Sequence, residues 1–532
     1  MKRVPDKYKV LFNHDSTCVF NTATPYQDVK KPVGLAQVEG YVDEVADAGC
    51  DVLLLSPIWG QGVVLWDSDQ APLWREKGKT LECPDTFQGR TIRRIRDFLL
   101  AGNDFIGITQ KRAKEKGLAF FLTWRMNDVH GIDHPEDPWT SDFYRDHPEY
   151  RIKTPDDPAW QWNAAHAFDF SRPEVHAYQL GFIRELITRY DFDGIELDFM
   201  RHPYLFPHTV PFEERCAHLS SFVTEVRRLL DTRGKNLPIC VRVPMSWDYG
   251  LEIGIDLKSW VNEGLVDMVN VSTFFVTSSE MEVSLYRQHL PKAKIYAELT
   301  QCTERGKTIE LGLEFTRKTT PEVLRSTAQC YLAQGADGIS LFNFVYYRDY
   351  SFGDPTKPDK FEPPFDALKG IADPAVLSRE AKHYALSSQL GGTLFLGQMP
   401  FDLVQQPGPR RHRLGIQVGD DISRPEVRAP YLPKGVLRLK FMEPVSDLEV
   451  LVWRQGRKLK PCRINGELFP HPYLEGVPTD HAYYLDYEVP LELLAQGLNH
   501  FTVHLFKGKA AVVTRMEIAL YRKDGYQPTY AQ

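Results

Sequence analysis

The chain has 532 residues, a length that predicts two or three domains. Its 42% hydrophobic and 25% charged residues are typical of a globular protein, and no apolar run approaches the roughly 20 residues that cross a bilayer, so we expect no membrane partner. The 64 Lys and Arg against 71 Asp and Glu leave a net charge of −7, which disfavours nucleic acid as a partner. Aromatic residues make up 12% of the chain, and this load fits both a packed core and a sugar-stacking surface.

The N-terminal segment carries charges but no apolar stretch of an export signal, which predicts a cytoplasmic protein unless a leader has been removed. The eight cysteines include no Cys-x-x-Cys pair, and Cys50, Cys240 and Cys330 fall within or beside apolar patterns. We therefore expect scattered buried thiols, not disulfides or a metal cluster, and no cofactor.

Strand-length apolar runs alternate with helical segments over the first 350 residues. The predicted strands are Lys9–Phe20, Asp51–Ile58, Ala119–Trp124, Gly194–Phe199, Ile239–Pro244, Met268–Phe274, Lys294–Leu299 and Gly338–Phe344. The predicted helices are Leu35–Ala48, Asp104–Lys116, Val175–Tyr190, Phe212–Arg233, Leu257–Glu263, Glu280–His289 and Pro321–Gln334.

Eight strands that are apolar almost throughout, with a helix between each strand and the next, indicate parallel strands buried on both faces. A doubly wound sheet would also alternate, but the first strand lacks a glycine-rich phosphate turn and the count of eight favours a (β/α)8 TIM barrel. The sequence therefore predicts an α/β fold with its active site at the carboxyl ends of the barrel strands.

After Leu377 the helical periodicity disappears and short alternating runs take its place. The predicted strands here are Gly392–Leu396, Arg413–Val418, Gly435–Phe441, Asp447–Trp453, His481–Val489, Asn499–Phe506 and Thr514–Tyr521. This pattern predicts an all-β sandwich of the jelly-roll type. We place the barrel at residues 1–380 and the sandwich at residues 381–532.

Polar and aromatic residues end or follow the predicted barrel strands, where they would meet around one mouth. Glu196, Asp198 and Glu298 are candidate catalytic residues. The candidate substrate-binding residues are Asn13, His14, Asp15, Trp59, Arg125, Asn127, Asp128, His130, Arg201, His202, Arg242, Trp247, Asn270 and Asn343. Carboxylates, amides, arginines and tryptophans suit a ligand with many hydroxyl groups, because each hydroxyl needs both a donor and an acceptor. Further aromatic candidates for sugar stacking are Trp66, Trp74, Trp124 and Tyr346.

The fourth predicted strand carries two carboxylates on one face. Alternation puts Glu196, Asp198 and Met200 together, and this face must look into the barrel. Two carboxylates in a buried lumen need a cation or a raised pKa, and Arg201 or Arg242 could supply the cation. The pair is therefore either catalytic or a structural element that satisfies buried arginines.

Three segments resemble one known group of proteins. These segments are Asp169–Val175, Phe192–Arg201 and the Arg-Met-Asn-Asp-Val-His motif at 125–130, and they are similar to the family-10-like putative glycosyl hydrolases of bacteria. The resemblance covers most of residues 1–380 and implies a (β/α)8 barrel that hydrolyses glycosides. It implies no particular sugar.

Two other glycosidase patterns match only in part. The fourth strand is similar to that of family 18 chitinases, but Met200 stands where their acid would be, so their acetamido-assisted mechanism is not carried over. Retaining barrel glycosidases keep an acid on strand four and a nucleophile on strand seven, and Glu298 lies at the second of these places. Their Asn-Glu dipeptide is absent, because Leu197 follows Glu196.

We therefore hypothesise a glycoside hydrolase with Asp198 as the leading catalytic carboxylate and Glu298 or Glu196 as its partner. The arginines leave room for an acidic or sulfated sugar. One alternative is an inactive barrel that only binds carbohydrate, and another is a metal-dependent hydrolase or lyase that uses His14, Asp15, His130 and His202. The C-terminal region resembles galactose-binding-like jelly rolls, and homo-oligomers are possible.

Overall fold

The computed structural model describes residues 3–21, 32–71, 83, 85–130, 132, 140–152, 162–307, 314–348, 361–386, 388, 397–406, 411–472 and 481–531. A closed barrel of eight strands forms the first part of the fold. Its strands are β1 (Val10–Asp15), β2 (Val52–Ser56), β3 (Ala119–Arg125), β4 (Gly194–Asp198), β5 (Ile239–Pro244), β6 (Met268–Ser272), β7 (Lys294–Thr300) and β8 (Gly338–Phe342). They follow one another around the barrel in chain order, β1 closes against β8, and the strand pairs from β1 to β6 are parallel. The predicted TIM barrel is confirmed.

The barrel interior is apolar at the amino ends of the strands and polar at their carboxyl ends. Alternate residues of the strands point inward, and an inward cluster includes Leu11, Leu54, Phe121, Met268 and Tyr296. Further along the same faces the side chains become polar. The apolar floor therefore supports a layer of charged groups at the mouth.

The seven predicted helices are all present, and further helices that were not predicted accompany them. The helices of the first part are α1 (Thr17–Phe20), α2 (Leu35–Asp47), α3 (Phe87–Leu100), α4 (Phe105–Glu115), α5 (Asp142–Asp146), α6 (Trp162–His166), α7 (Pro173–Arg189), α8 (Phe212–Asp231), α9 (Trp247–Glu252), α10 (Leu257–Asn262), α11 (Val283–His289) and α12 (Pro321–Ala333). Short helices α13 (Pro374–Leu377) and α14 (Pro425–Arg428) follow.

Two local predictions in the first part were wrong. The first predicted strand ran to Phe20, whereas β1 ends at Asp15 and α1 begins at Thr17. The Asp15 carboxylate accepts hydrogen bonds from the amide and hydroxyl of Thr17, so it turns the chain out of the strand. Helix α3 was not predicted, because its four arginines mask the apolar stripe.

The C-terminal region forms two antiparallel sheets, which confirms the predicted sandwich class. The strands are β9 (Lys382–Leu386), β10 (Phe401–Leu403), β11 (His412–Val418), β12 (Lys434–Phe441), β13 (Glu449–Arg454), β14 (Arg457–Lys458), β15 (Lys460–Cys462), β16 (Tyr484–Pro490), β17 (Gly497–Lys507) and β18 (Ala511–Leu520). One sheet has the order β9-β18-β12-β16-β15, with β10 on β18, and the other has the order β11-β17-β13-β14. The predicted strand Gly392–Leu396 lies outside the described residues.

The chain divides into two compact units. The first comprises Met1–Ser272, Leu285–Tyr296 and Ser340–Phe365, and the second comprises Thr273–Ser284, Ala297–Ile339 and Asp366–Gln532. The domain boundary at residue 380 stays a prediction.

All eight cysteines are free thiols. In the part of the chain described, no helix combines the length and the apolar character that crossing a membrane requires.

Candidate active site at the barrel mouth

Strand register brings four polar residues to one level of the barrel. Arg125 of β3 lies beside Asp198 of β4, Asp198 beside Arg242 of β5, and Arg242 beside Asn270 of β6. All four side chains are fully or almost fully buried. The level therefore places one carboxylate between two buried cations.

Asp198 is fixed by a cation and by backbone amides. Arg242 Nη1 donates to both carboxylate oxygens of Asp198, at 3.0 and 3.2 Å. The amides of Met200 and Arg201 each donate to Asp198 Oδ1 at 3.0 Å. Of the two arginines that the sequence offered as its cation, Arg242 makes the side-chain pair and Arg201 contributes a backbone donor.

Arg242 is itself held by other groups. Its Nη2 donates to Ser272 Oγ at 3.1 Å, and its guanidinium lies 3.9 Å from the centre of the Phe342 ring. Such contacts keep the Arg242 fork in the orientation that meets Asp198. The position of the Asp198 carboxylate is thus determined by packing around its partner.

Glu196 lies one layer deeper than Asp198, among neutral groups. It accepts hydrogen bonds from Asn13 Nδ2 at 2.7 Å and Thr123 Oγ1 at 3.2 Å. Asn270 Nδ2 and Cys240 Sγ contact its other oxygen at 3.4 and 3.5 Å. A ligand entering from the mouth would meet Asp198 before Glu196.

Arg125 links two further carboxylates at the mouth. Its Nη2 lies 3.1 Å from Asp15 Oδ2, and its Nη1 donates to Asp128 Oδ2 at 2.9 Å. Tyr346 also donates its hydroxyl to Asp15 Oδ2 at 3.1 Å. Burial would raise the pKa of Asp15, but Arg125 and Arg201 outweigh it and hold that pKa below its usual range.

Asp128 also orients two histidines. It accepts from the amide of His130 at 3.1 Å and contacts His130 Nδ1, and its Oδ1 lies 3.7 Å from His202 Nδ1. Arg201 Nη2 contacts His130 Nε2. Because a guanidinium only donates, Nε2 must be the acceptor and the proton of neutral His130 must sit on Nδ1, facing Asp128. We call Asp15, Arg125, Asp128, His130, Arg201 and His202 the mouth cluster.

Burial and nearby cations hold both histidines neutral. Burial lowers the pKa of His130, and Arg201 adds to this against the attraction of Asp128. Burial, His130 and Arg201 hold the pKa of His202 well below its usual value. The side chain of His130 is still 29% exposed, more than the other five members whose exposure is 14% or less. His130 is therefore the part of the cluster that a ligand reaches first.

Two of the predicted site residues, His202 and Asn343, have a left-handed backbone. His202 follows β4 with φ 76°, and Asn343 follows β8 with φ 54°. The buried Oδ1 atom of Asn343 has no hydrogen-bond partner among the described residues. Strained backbone and unpaired polar atoms concentrate at functional sites, because a ligand can supply what the fold does not.

A short hairpin after β2, with strands Ile58–Trp59 and Val63–Val64, supports the loop that carries Asp128 and His130. Gln61 Nε2 donates to the Asp128 carbonyl at 2.7 Å, and the ring of Trp59 lies 6.3 Å from that of His130. Gly60 has φ +65°, and a Cβ there would lie 2.3 Å from the His130 carbonyl oxygen. Sequence reasoning missed Gly60 and Gln61, although the Trp-Gly-Gln-Gly run marks a tight turn.

We expect Gly60→Ala to displace the His130 loop and to lower stability by roughly 2–4 kcal/mol, since it combines left-handed strain with a backbone clash. The matched control is Gly117→Ala, where φ is +80° but no atom lies within 4 Å. The control should cost only about 1–2 kcal/mol, because strain acts there alone. Urea unfolding of both variants measures the difference, and equal losses would show that the contact with His130 carries no energy.

Other predicted site residues lie apart from the mouth cluster. His14 is on the opposite face of β1 from Asn13 and Asp15, where it stacks on Tyr41 with 4.3 Å between ring centres, and burial lowers its pKa to about 4. Trp247 begins α9 and stacks on His289 at 4.4 Å.

Asn127 and Glu298 are buried, and Trp74 is not described. The side-chain amide of Asn127 bonds the backbone of Phe168 and Tyr204, which occupies both of its polar atoms. Glu298 is fully buried on β7, on the same face of that strand as Tyr296. Trp74 lies outside the described residues.

Asp128, His130 and His202 could offer three ligand atoms to a metal, all within 4.8 Å of one another. The described contacts fit such an ion poorly. His130 Nε2 faces the Arg201 guanidinium, Asp128 is paired with Arg125, and His202 Nδ1 accepts the Val129 amide at 3.3 Å. A cation would have to displace these bonds beside two arginines.

No family model matches the chain, and no curated protein matches it. Similar solved structures include a noncanonic maltogenic alpha-amylase from Thermotoga neapolitana, 12% identical over 95% of this chain and 99% of that one, with a TM-score of 0.37. A glycoside hydrolase domain from Bordetella bronchiseptica is 10% identical over 69% of this chain and 98% of that one, with a TM-score of 0.42. An alpha-galactosidase from Geobacillus stearothermophilus is 13% identical over 97% of this chain but 56% of that one, with a TM-score of 0.37. These likenesses assign no family and no substrate.

Proposed function

We propose that this chain is a glycoside hydrolase that cleaves a glycosidic bond in an oligosaccharide or polysaccharide at the barrel mouth. The observation that carries the proposal is the fixed carboxylate of Asp198 at the carboxyl end of β4, held by Arg242 and two backbone amides. Barrel enzymes place their chemistry at this end of the strands. The three segments that resemble the family-10-like glycosyl hydrolases would imply the same activity, although no family model matches the chain.

Hydrolysis of a glycoside needs two carboxyl groups in different roles. Asp198 would act in its ionised form, either as the nucleophile or as the base that activates water. Its partner would protonate the leaving oxygen. We place Glu298 first in that role, because Glu196 lies one layer beneath Asp198 and both of its carboxylate oxygens contact neighbouring side chains.

The mouth cluster would bind and orient the sugar. The exposed edge of the His130 ring can contact the sugar, and Trp59 beside it offers an apolar face. Arg201, which is 7% exposed, would pair with an acidic or sulfated substituent. Carbohydrate is thus the proposed partner, and a bound metal is not required.

A screen over neutral, uronic and sulfated glycans, read as new reducing ends, tests the proposal. We expect cleavage of at least one glycan, no effect of a chelator, and faster turnover on an acidic or sulfated glycan than on its neutral counterpart. Calorimetric binding without any cleavage over the whole panel would favour the inactive, carbohydrate-binding alternative. Loss of activity with chelator and its return with a divalent metal would favour the metal-dependent alternative.

Glu298→Gln and Glu196→Gln identify the proton donor. We expect Glu298→Gln to lower kcat about a hundredfold or more on an ordinary glycoside, because it cannot donate a proton. A substrate with a dinitrophenyl leaving group needs no proton, so it should recover most of that loss. Glu196→Gln should keep kcat within about tenfold of the native value. The reverse pattern would make Glu196 the partner.

A further inference from the structure

The second unit carries a basic sheet face that the proposed chemistry does not use. Sheet β11-β17-β13-β14 packs one face inward through buried residues such as Leu414, Phe501, Val503 and Val452. Alternation turns the residues between them to the opposite face. We call Arg411, Arg413, Trp453, Lys458, His500 and His504 on that opposite face, with Arg411 one residue before β11, the basic face.

One row of the basic face crosses the whole sheet. Arg413 of β11 pairs in register with Thr502 of β17, Thr502 with Trp453 of β13, and Trp453 with Lys458 of β14. Four strands spaced by about 4.8 Å give this row a width of about 14 Å. A cation therefore stands at each end of the row, with an indole between them.

The cations of this row are available to a ligand. Arg413 and Lys458 are exposed, and neither forms a salt bridge or a side-chain hydrogen bond with a described residue. Arg411 places a third guanidinium 5.8 Å from the centre of the Trp453 ring. Glu449 is the one acidic residue on these four strands among those described, and it lies at the far end, opposite Lys507.

Aromatic and imidazole groups complete the face. Trp453, His500 and His504 are half-buried, and Phe506 next to them is 59% exposed. No described residue bonds Nε2 of either histidine, and burial together with nearby arginines lowers the pKa of both rings, so they are neutral at pH 7. Neutral imidazoles offer hydroxyl groups a donor or an acceptor.

A ligand for this face should be anionic, hydroxylated and extended. A nucleic acid strand is the other polyanion to consider, but its binding usually relies on several rings that stack successive bases. Here a single indole lies in a row between the exposed cations Arg413 and Lys458, with two neutral imidazoles on the same face. The chain as a whole has a net charge of −7, so the positive charge is a local property of this face.

We infer that the basic face binds an acidic polysaccharide, and so holds a polymeric substrate independently of the barrel mouth. Arg411, Arg413 and Lys458 would pair with carboxylate or sulfate groups, and Trp453 would stack on a sugar ring. The inference deepens the proposed function by naming the substrate class. It rests on the proposed function for one point, that the bound polysaccharide is a substrate. The binding of the polysaccharide to the basic face can be measured without any turnover.

The test is affinity electrophoresis and calorimetry of the full chain with polygalacturonate, compared with soluble starch and single-stranded poly-dT. We expect polygalacturonate to bind most tightly and to weaken with added salt. The double variant Arg413→Ser/Lys458→Ser should bind about tenfold more weakly or worse, since two charge-assisted bonds are lost. Its matched control, Arg424→Ser/Lys434→Ser, removes two exposed cations that are paired with Glu426 and Glu488, and should bind within about twofold of the native chain.

Several outcomes would overturn the inference. One is that the native chain does not bind polygalacturonate, and another is that the control variant loses as much affinity as the double variant. The others are that starch binds as tightly as polygalacturonate, or that poly-dT binds more tightly than polygalacturonate. The double variant should also keep native turnover on a short soluble oligosaccharide, and Asp198→Asn should keep native binding of polygalacturonate. If the proposed function is wrong, the chain will bind polygalacturonate but cleave no glycan. If this inference is wrong, the chain will cleave a glycan but will not bind polygalacturonate through the basic face.

Discussion

Replacement of Asp198 by Asn should lower kcat/KM about a thousandfold or more on any glycan that the chain cleaves. Asparagine has nearly the shape of aspartate and can still accept the amides of Met200 and Arg201 through its carbonyl oxygen. It has no charge with which to attack the anomeric carbon or to deprotonate water. Steady-state kinetics of the variant, beside its thermal unfolding, separate lost chemistry from lost structure.

The control for this variant concerns Arg242. The Asp198→Asn change leaves the guanidinium of Arg242 buried without its anion, which costs up to about 3–5 kcal/mol. Ser272→Ala also disturbs Arg242, by removing the hydrogen bond at 3.1 Å, but leaves Asp198 intact. We expect Ser272→Ala to lower stability by about 1 kcal/mol and to keep most activity. If Asp198→Asn folds and turns over at the native rate, Asp198 has only a structural role.

The barrel was predictable because its strands are buried on both faces. Runs such as Ile239–Pro244 are apolar except for Arg242, and the observed β5 has the same bounds. The error at β1 came from Val19 and Phe20, which are apolar and buried but belong to α1. Apolarity alone does not distinguish a strand from one turn of buried helix.

The site was predictable where one strand or two neighbouring strands define it. Alternation along β4 gives the shared face of Glu196 and Asp198, and Arg242 enters from the adjacent strand. The contacts within the mouth cluster were harder to predict from the sequence, because Asp15 and Arg125 meet across strands that are not neighbours in the barrel order. The same alternation separates His14 from Asn13 and Asp15.

A buried chain of charges in the second unit was not predicted at all. It begins at the hairpin with strands Cys302–Lys307 and Glu314–Lys318, where Glu304 accepts two contacts at 3.0 Å from Lys440 and one from Arg515. Arg515 Nε lies 3.0 Å from Glu517 Oε2. These residues come from distant segments, so no local pattern in the sequence joins them.

Glu304→Ala should destabilise the second unit by about 3–5 kcal/mol, because it leaves the buried Lys440 without its anion and leaves Arg515 with Glu517 alone. Denaturant unfolding, followed by a probe within residues 366–532, measures the loss. The double variant Glu304→Met/Lys440→Met removes one anion and one cation together and leaves Arg515 paired with Glu517, so it should recover a large part of that stability. The exposed control Glu426→Ala should change stability by less than about 1 kcal/mol.

The stabilisation by Glu304 should also depend on pH in one direction. Burial would raise the pKa of Glu304, but Lys440 and Arg515 outweigh it and lower that pKa. A carboxyl whose folded pKa lies below its unfolded value of about 4.3 stabilises the fold fully above that value, and this contribution disappears as the pH falls through the folded pKa. The difference in unfolding free energy between the native chain and Glu304→Ala should therefore be greatest near neutral pH and should shrink in acid. A difference that stays constant from pH 7 to pH 3 would mean that packing of the glutamate side chain, and not its charge, holds the hairpin in place.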